Sequence, residues 1–183
     1  MRPSQHEHPK DAIVDHGSLE RLFIRGLRTL HAADERCIAS ATDVVAGVTD
    51  PSLHDAIRAG IEMAERQVGQ LDEVFRHAGV PPTGTEDGVV AAIERATQRA
   101  RDTADPVARD VGVIATSRMA FHYYIAWYGT LRDYAEALGL PEAAELLDDM
   151  RHELEQTDLE FSTIARRMIR ASQTARESRR ALA

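Results

Sequence analysis

Cysteine is nearly missing from this chain. Cys37 is the one thiol in 183 residues, so no disulfide can form within the chain and packing must hold the fold. A lone thiol suits a reducing compartment. Long apolar runs are also missing. No stretch reaches the ~18 residues of a membrane-spanning helix, and the opening Met1 to His8 carries no secretory hydrophobic segment. These absences lead to the expectation of a soluble, cytoplasmic protein. Positive charge is in deficit, with Lys and Arg totalling 22 against 30 Asp and Glu, a net charge of −8. That argues against a general nucleic-acid or anionic-membrane partner, because both select basic surfaces. Arg176, Arg179 and Arg180 make the C-terminus locally basic, which fits a solvated helix end better than a binding tail. There is no phosphate-binding loop, no zinc-spaced Cys/His set, no nucleophile elbow and no short internal repeat.

What is present is helical periodicity, and no segment alternates as a strand would. A first helix is expected from 17 to about 47, with Ser18 as N-cap and Phe23, Leu27, Leu30, Cys37, Ile38, Ala41 and Val45 on its apolar stripe. A second runs from the Asp50-Pro51 break to about His77, with Ile57, Ile61, Ala64, Val68, Leu71 and Phe75 aligned. Gly79, Pro81, Pro82 and Gly84 break the chain before a short helix, about 87 to 101. The third long helix runs from Pro106 to Leu138, with Val111, Ile114, Phe121, Ile125 and Tyr128 in line. The fourth runs from Pro141 to about Ala171, through Leu147, Met150, Leu154, Phe161, Ile164 and Met168. The fold class is all-α, an antiparallel four-helix bundle plus one short extra helix. Residues 17–171 form the domain, and 1–16 and 172–183 are expected to be flexible ends.

Aromatics are scarce, at 4 Phe, 4 Tyr and 1 Trp, yet Phe121, Tyr123, Tyr124, Trp127 and Tyr128 fall within one stretch. Large rings concentrated on one helix mark a place where something unusual is packed or bound. The chemistry of a bundle comes from polar groups that interrupt the apolar stripes. Asp34 is the clearest, near the middle of the first stripe between Leu30 and Ile38. A carboxylate buried there needs a cation, a hydrogen-bond partner or a use for a raised pKa. Arg118, on a stripe with Ile114, Phe121 and Ile125, is its natural partner, and the pair could be structural or functional. Glu62 and Glu65 are spaced to share a metal, but Glu65 lies at the stripe's edge and Glu62 well outside it. Asp149 and His152 have the same spacing, with His152 pointing outward. Glu153 flanks the inner face, Thr157 can bond its own helix backbone, and His122 sits one residue off the stripe. Tyr124 can aim its hydroxyl at the core.

Four segments carry a resemblance: Ser18–Leu30 (SLERLFIRGLRTL), Gln67–Phe75 (QVGQLDEVF), Tyr128–Leu131 (YGTL) and Ala135–Leu140 (AEALGL). They resemble the YciE/YciF-like family of ferritin-like proteins, over about 18–165. The resemblance implies a ferritin-like bundle, commonly a homodimer, an association with bacterial stress responses, and a carboxylate-rich two-metal site. The chain departs from that site. The family's helix-1 Glu is Asp34. Its His-Leu-Glu-Glu-Thr is Gly60-Ile61-Glu62-Met63-Ala64. Its Glu-His-Tyr-Glu is Phe121-His122-Tyr123-Tyr124, and its consecutive glutamates are Glu153-Leu154. A site needing about four carboxylates and two histidines is thus left with Asp34 and Glu153 facing inward.

The expectation is therefore a protein with no metal and no cofactor, whose remade cavity holds an aromatic or amine-containing small molecule. Phe121, Tyr124, Trp127, Tyr128 and Glu65 would contact the ligand. Asp34, with Arg118 and His122, would serve an acid/base condensation, cyclisation or isomerisation. The alternatives are a non-catalytic stress-associated bundle, and a single-metal protein using Asp34, Glu65, His122 and Glu153.

Overall fold

The structure, a computed structural model, describes residues 16–86 and 88–182. It contains five helices: α1 (His16–Gly47), α2 (Pro51–His77), α3 (Gly88–Arg101), α4 (Pro106–Ala137) and α5 (Pro141–Ala181). No strand occurs among the described residues. The expected flexible N-terminus, 1–16, lies outside them except for His16. Two boundaries differ from the sequence reading. Ser18 is inside the first turn of α1, where it accepts from Arg21, so it does not cap. The last helix continues to Ala181, because 172–181 contains neither Pro nor Gly and is rich in Arg and Ala.

Local chemistry fixes the other ends. Asp50 and Asp105 cap α2 and α4 by accepting from the N–H of Leu53 (3.1 Å) and Ala108 (2.8 Å), each with proline in the first turn. Gly79 and Gly139 follow α2 and α4 with φ of 70° and 73°. This left-handed turn lets Val80 and Leu140 donate back to Phe75 and Ala135.

The hairpins α1–α2 and α4–α5 pack so that α1 meets α4 and α2 meets α5. The segment between the hairpins passes Ala32 and Arg28 in mid-α1, where Thr85 N–H donates to the Arg28 carbonyl. Then α3 leans on α4 and reaches the C-terminal end of α1, with Arg101 beside Gly47. Adjacent long helices are antiparallel, and the connection through α3 is the long crossover of a four-helix bundle.

The core divides in two along the bundle. One half gathers Phe23, Leu27, Leu71, Phe75, Tyr128, Leu131 and Leu147. The other gathers Leu53, Ile57, Val113, Ile114, Phe161 and Met168. The stripe expected for α5 is buried throughout. That of α4 is rotated: its innermost line runs through Val113, Tyr124, Tyr128, Leu131 and Ala135, while Phe121 and Ile125 are only half-buried. Because α4 packs against α1, α3 and α5, it is apolar around most of its circumference. Periodicity alone then fixes its phase poorly.

At the junction, Asp110 does structural work the sequence reading overlooked. Fully buried, its Oδ2 accepts from Thr49 N–H (3.0 Å), Thr49 Oγ1 (2.7 Å) and Asp50 N–H (2.8 Å). These bonds satisfy the turn between α1 and α2 from the neighbouring α4.

Candidate functional site

Where the two core halves meet, a cavity of about 460 Å³ opens between α1, α2, α3, α4 and α5. Its wall on α1 extends from Asp34 to Val44, about 15 Å of helix axis, so the space is elongated. That is why the second half of the α1 stripe (Cys37, Ile38, Ala41) is only half-buried while Phe23, Leu27 and Leu30 are sealed. Apolar side chains dominate the wall, including Ile57, Ile61, Ile93, Phe121 and Phe161. Phe121 meets Phe161 edge-to-face at 4.9 Å. The volume is within the ordinary range of small-molecule sites.

Asp34 forms the polar end. It is 3% exposed, and burial pushes its carboxyl up to about 8 from an ordinary 3.8. The hydroxyls of Tyr124 and Tyr128 lie near enough to draw it part-way back, yet not in the alignment of a formed hydrogen bond. Asp34 Oδ2, Tyr124 Oη and Tyr128 Oη are all buried without a hydrogen-bond partner. The two phenols, one turn apart on α4, have near-parallel rings 6.2 Å apart. Burial first, and then the nearby Asp34 charge, raise both phenols well above their usual range. Cys37, one turn along α1, is pushed up to about 11, again by burial and then by Asp34. It is therefore a thiol and not a thiolate at neutral pH.

The remaining expected site residues do not converge on this point. Arg118 is not the partner of Asp34: its Nε and Nη2 donate to the two carboxylate oxygens of Asp158 at 2.7 and 3.0 Å. That fork holds the Asp158 carboxyl below its usual range. The cause is the rotation of α4, which aims the Arg118 stripe at α5. His122 follows it, 3.6 Å from Asp158 and mostly exposed. Trp127 is half-buried against Gly26 of α1 and lies off the cavity wall. Tyr128 stands behind the wall, fully buried. Glu65 is exposed, as is Glu62. Of the expected ligand contacts, only Phe121 and Tyr124 join Asp34 on the cavity wall.

Other readings of single residues agree with the geometry. His152 points outward, and Thr157 bonds the Glu153 carbonyl of its own helix. Glu153 is half-buried and accepts from Gln67 at 3.1 Å. Gln67 itself, buried and also directed at the Met150 carbonyl, was overlooked. Its place on the α2 stripe between Ala64 and Leu71 was the available signal.

The positions at which the resemblance implies carboxylates come together in space. Met63, Phe121, Tyr124 and Leu154 all stand on this one wall with Asp34. Among the described residues no three His, Cys, Asp or Glu side chains are grouped to hold a metal ion. The donor set at the cavity thus does not fit a metal centre, for which several hard oxygen or imidazole ligands must converge.

Residues 18–174 match a family described as a domain of unknown function, DUF892. The chain belongs to the DUF892 family. Within the curated proteins it is similar to protein YciF of Escherichia coli strain K12, 27% identical over 150 residues that cover 81% of this chain and 90% of that protein. Two solved structures share the fold of this DUF892 member. That of the E. coli stress protein YciF has a TM-score of 0.80 at 23% identity, covering 83% of this chain and 97% of the other. That of YcfI from Rhodopseudomonas palustris has a TM-score of 0.77 at 26% identity, covering 82% and 97%. The bundle is therefore ferritin-like, as the resemblance implied. Among the described residues no helix is long and apolar enough to cross a membrane.

Proposed function

We propose that this DUF892 protein is a non-catalytic, YciF-like stress-associated protein that works without a metal by holding an organic molecule in its cavity. One observation carries the reading: the motif positions that would supply carboxylates are Met63, Phe121, Tyr124 and Leu154, and they wall an apolar space of about 460 Å³. The likeness to the E. coli stress protein supports the biological setting. The acid/base enzyme is less well supported. A proton-transfer reaction needs a second group poised opposite Asp34, and Arg118 and His122 are engaged with Asp158 on the α4–α5 surface. A homodimer remains part of the proposal, by family resemblance.

Native mass spectrometry and elemental analysis of protein purified from iron-supplemented cells without chelators test the reading together. A co-purified organic mass and a metal content near zero are expected. A stoichiometric transition metal would refute it.

A further inference from the structure

Resting on the reading of the cavity as an organic-ligand site, we infer that its ligand is an amine: an aromatic or aliphatic body in the apolar channel, with a protonated nitrogen seated on Asp34. Three features of the deep end lead there. The first is unmet hydrogen-bonding capacity. Asp34 Oδ2 and Tyr124 Oη are on or at the wall, with Tyr128 Oη just behind, and none has a hydrogen-bond partner. An alkylammonium brings three N–H donors and no acceptor, so it matches a carboxylate oxygen and a phenol oxygen. Tyr128 can then turn its own O–H toward Asp34.

The second feature is the sign of the surroundings. The ionisable groups whose charge or hydrogen bonding bears on Asp34, Cys37, Tyr124 and Tyr128 are these four themselves, Tyr123, Glu94 and Glu153. Every one is an acid. Of the nearby cations, Arg36 forks onto Glu94 and Arg118 onto Asp158, while Arg95 and Arg101 line the cavity from α3, Arg95 exposed and Arg101 beside Gly47 at the far end of α1. An anionic head would find no free cation beside Asp34, whereas an ammonium lets Asp34 give up its proton and completes an ion pair.

The third feature is shape. The wall on α1 continues about 15 Å from Asp34 to Val44, past Ile38 and Ala41, with Phe121 and Phe161 opposite. A flat or linear apolar body fits this channel, and a compact polyamine does not, because its further charges would lie among apolar side chains. Of the other carboxylates on the wall, Glu94 is already paired with Arg36 and Asp43 is exposed, so one cationic head per ligand is expected.

Titration calorimetry on the full chain near neutral pH, with phenylbutylamine, phenylbutanol and phenylbutyrate, tests this. The amine should bind about tenfold or more tightly than the alcohol, as one charge-assisted contact would give, and the acid should bind weakest. Asp34→Asn should abolish the preference, bringing the amine to the level of the alcohol. Tyr124→Phe should lower the amine preference by a smaller factor, and it serves as the check if Asp34→Asn does not fold. Equal binding of amine and alcohol to the wild-type protein would overturn the amine assignment while leaving the cavity reading standing. Binding of none of the three would overturn both.

Discussion

Replacing Asp34 with Asn should stabilise the protein, and increasingly so as pH rises. The carboxyl is buried and its pKa is about 8 in the fold against 3.8 ordinarily. Between those values the unfolded chain has released this proton and the folded chain still holds it. The folded state therefore binds more protons, and wild-type stability falls as pH climbs through the window. Below the ordinary value the penalty vanishes, and above about 8 it is complete. One proton corresponds to about 1.4 kcal/mol per pH unit. Over the roughly three units from 3.8 to neutrality the penalty reaches about 4 kcal/mol. That is a large share of the stability of a domain this size.

Asparagine keeps the shape and does not titrate. Urea unfolding followed by circular dichroism, for both proteins at intervals from about pH 5 to pH 8, isolates the effect. Histidines and surface groups titrate alike in both and cancel in the difference. The variant's advantage should grow by about 4 kcal/mol across that range, or roughly 10 °C in melting temperature. A difference that stays constant to within about 1 kcal/mol would mean that Asp34 does not carry a raised pKa, and the description of the polar end would fall.

The other predictions concern the frame. Asp110→Ala should cost about 3 kcal/mol in denaturant unfolding, because the N–H groups of Thr49 and Asp50 lose their buried acceptor; a loss below about 1 kcal/mol would show that water replaces it. Gly26→Ala should destabilise by about 1–3 kcal/mol, since its Cβ would lie 2.6 Å from Leu131 Cδ2 and 2.9 Å from the Trp127 ring. Gly60→Ala meets nothing within 4 Å and should gain about 0.5–1 kcal/mol. Thermal melts of the pair that moved in the same direction would contradict the packing described for α1 against α4.

The sequence alone determined the helices, the family and the buried acid of α1. Each follows from local rules: proline and glycine at the breaks, and a stripe repeating with the helix turn, into which Asp34 falls with apolar neighbours on both sides. It also placed Met63, Phe121, Tyr124 and Leu154 where the resemblance implies carboxylates, because that is a statement about residue identity. Partnership was beyond it. Arg118 was legible as an inward cation, but whether it meets Asp34 or Asp158 depends on the rotation of α4, and a helix apolar around its circumference has no phase to read. Asp110 and Gln67 escaped for a related reason, since their partners lie 60 or more residues away in the chain. The cavity is the clearest case of tertiary control. The lengths and crossings of five helices leave about 460 Å³ unfilled beside Asp34, and a gap between helices has no residue of its own by which the sequence could show it.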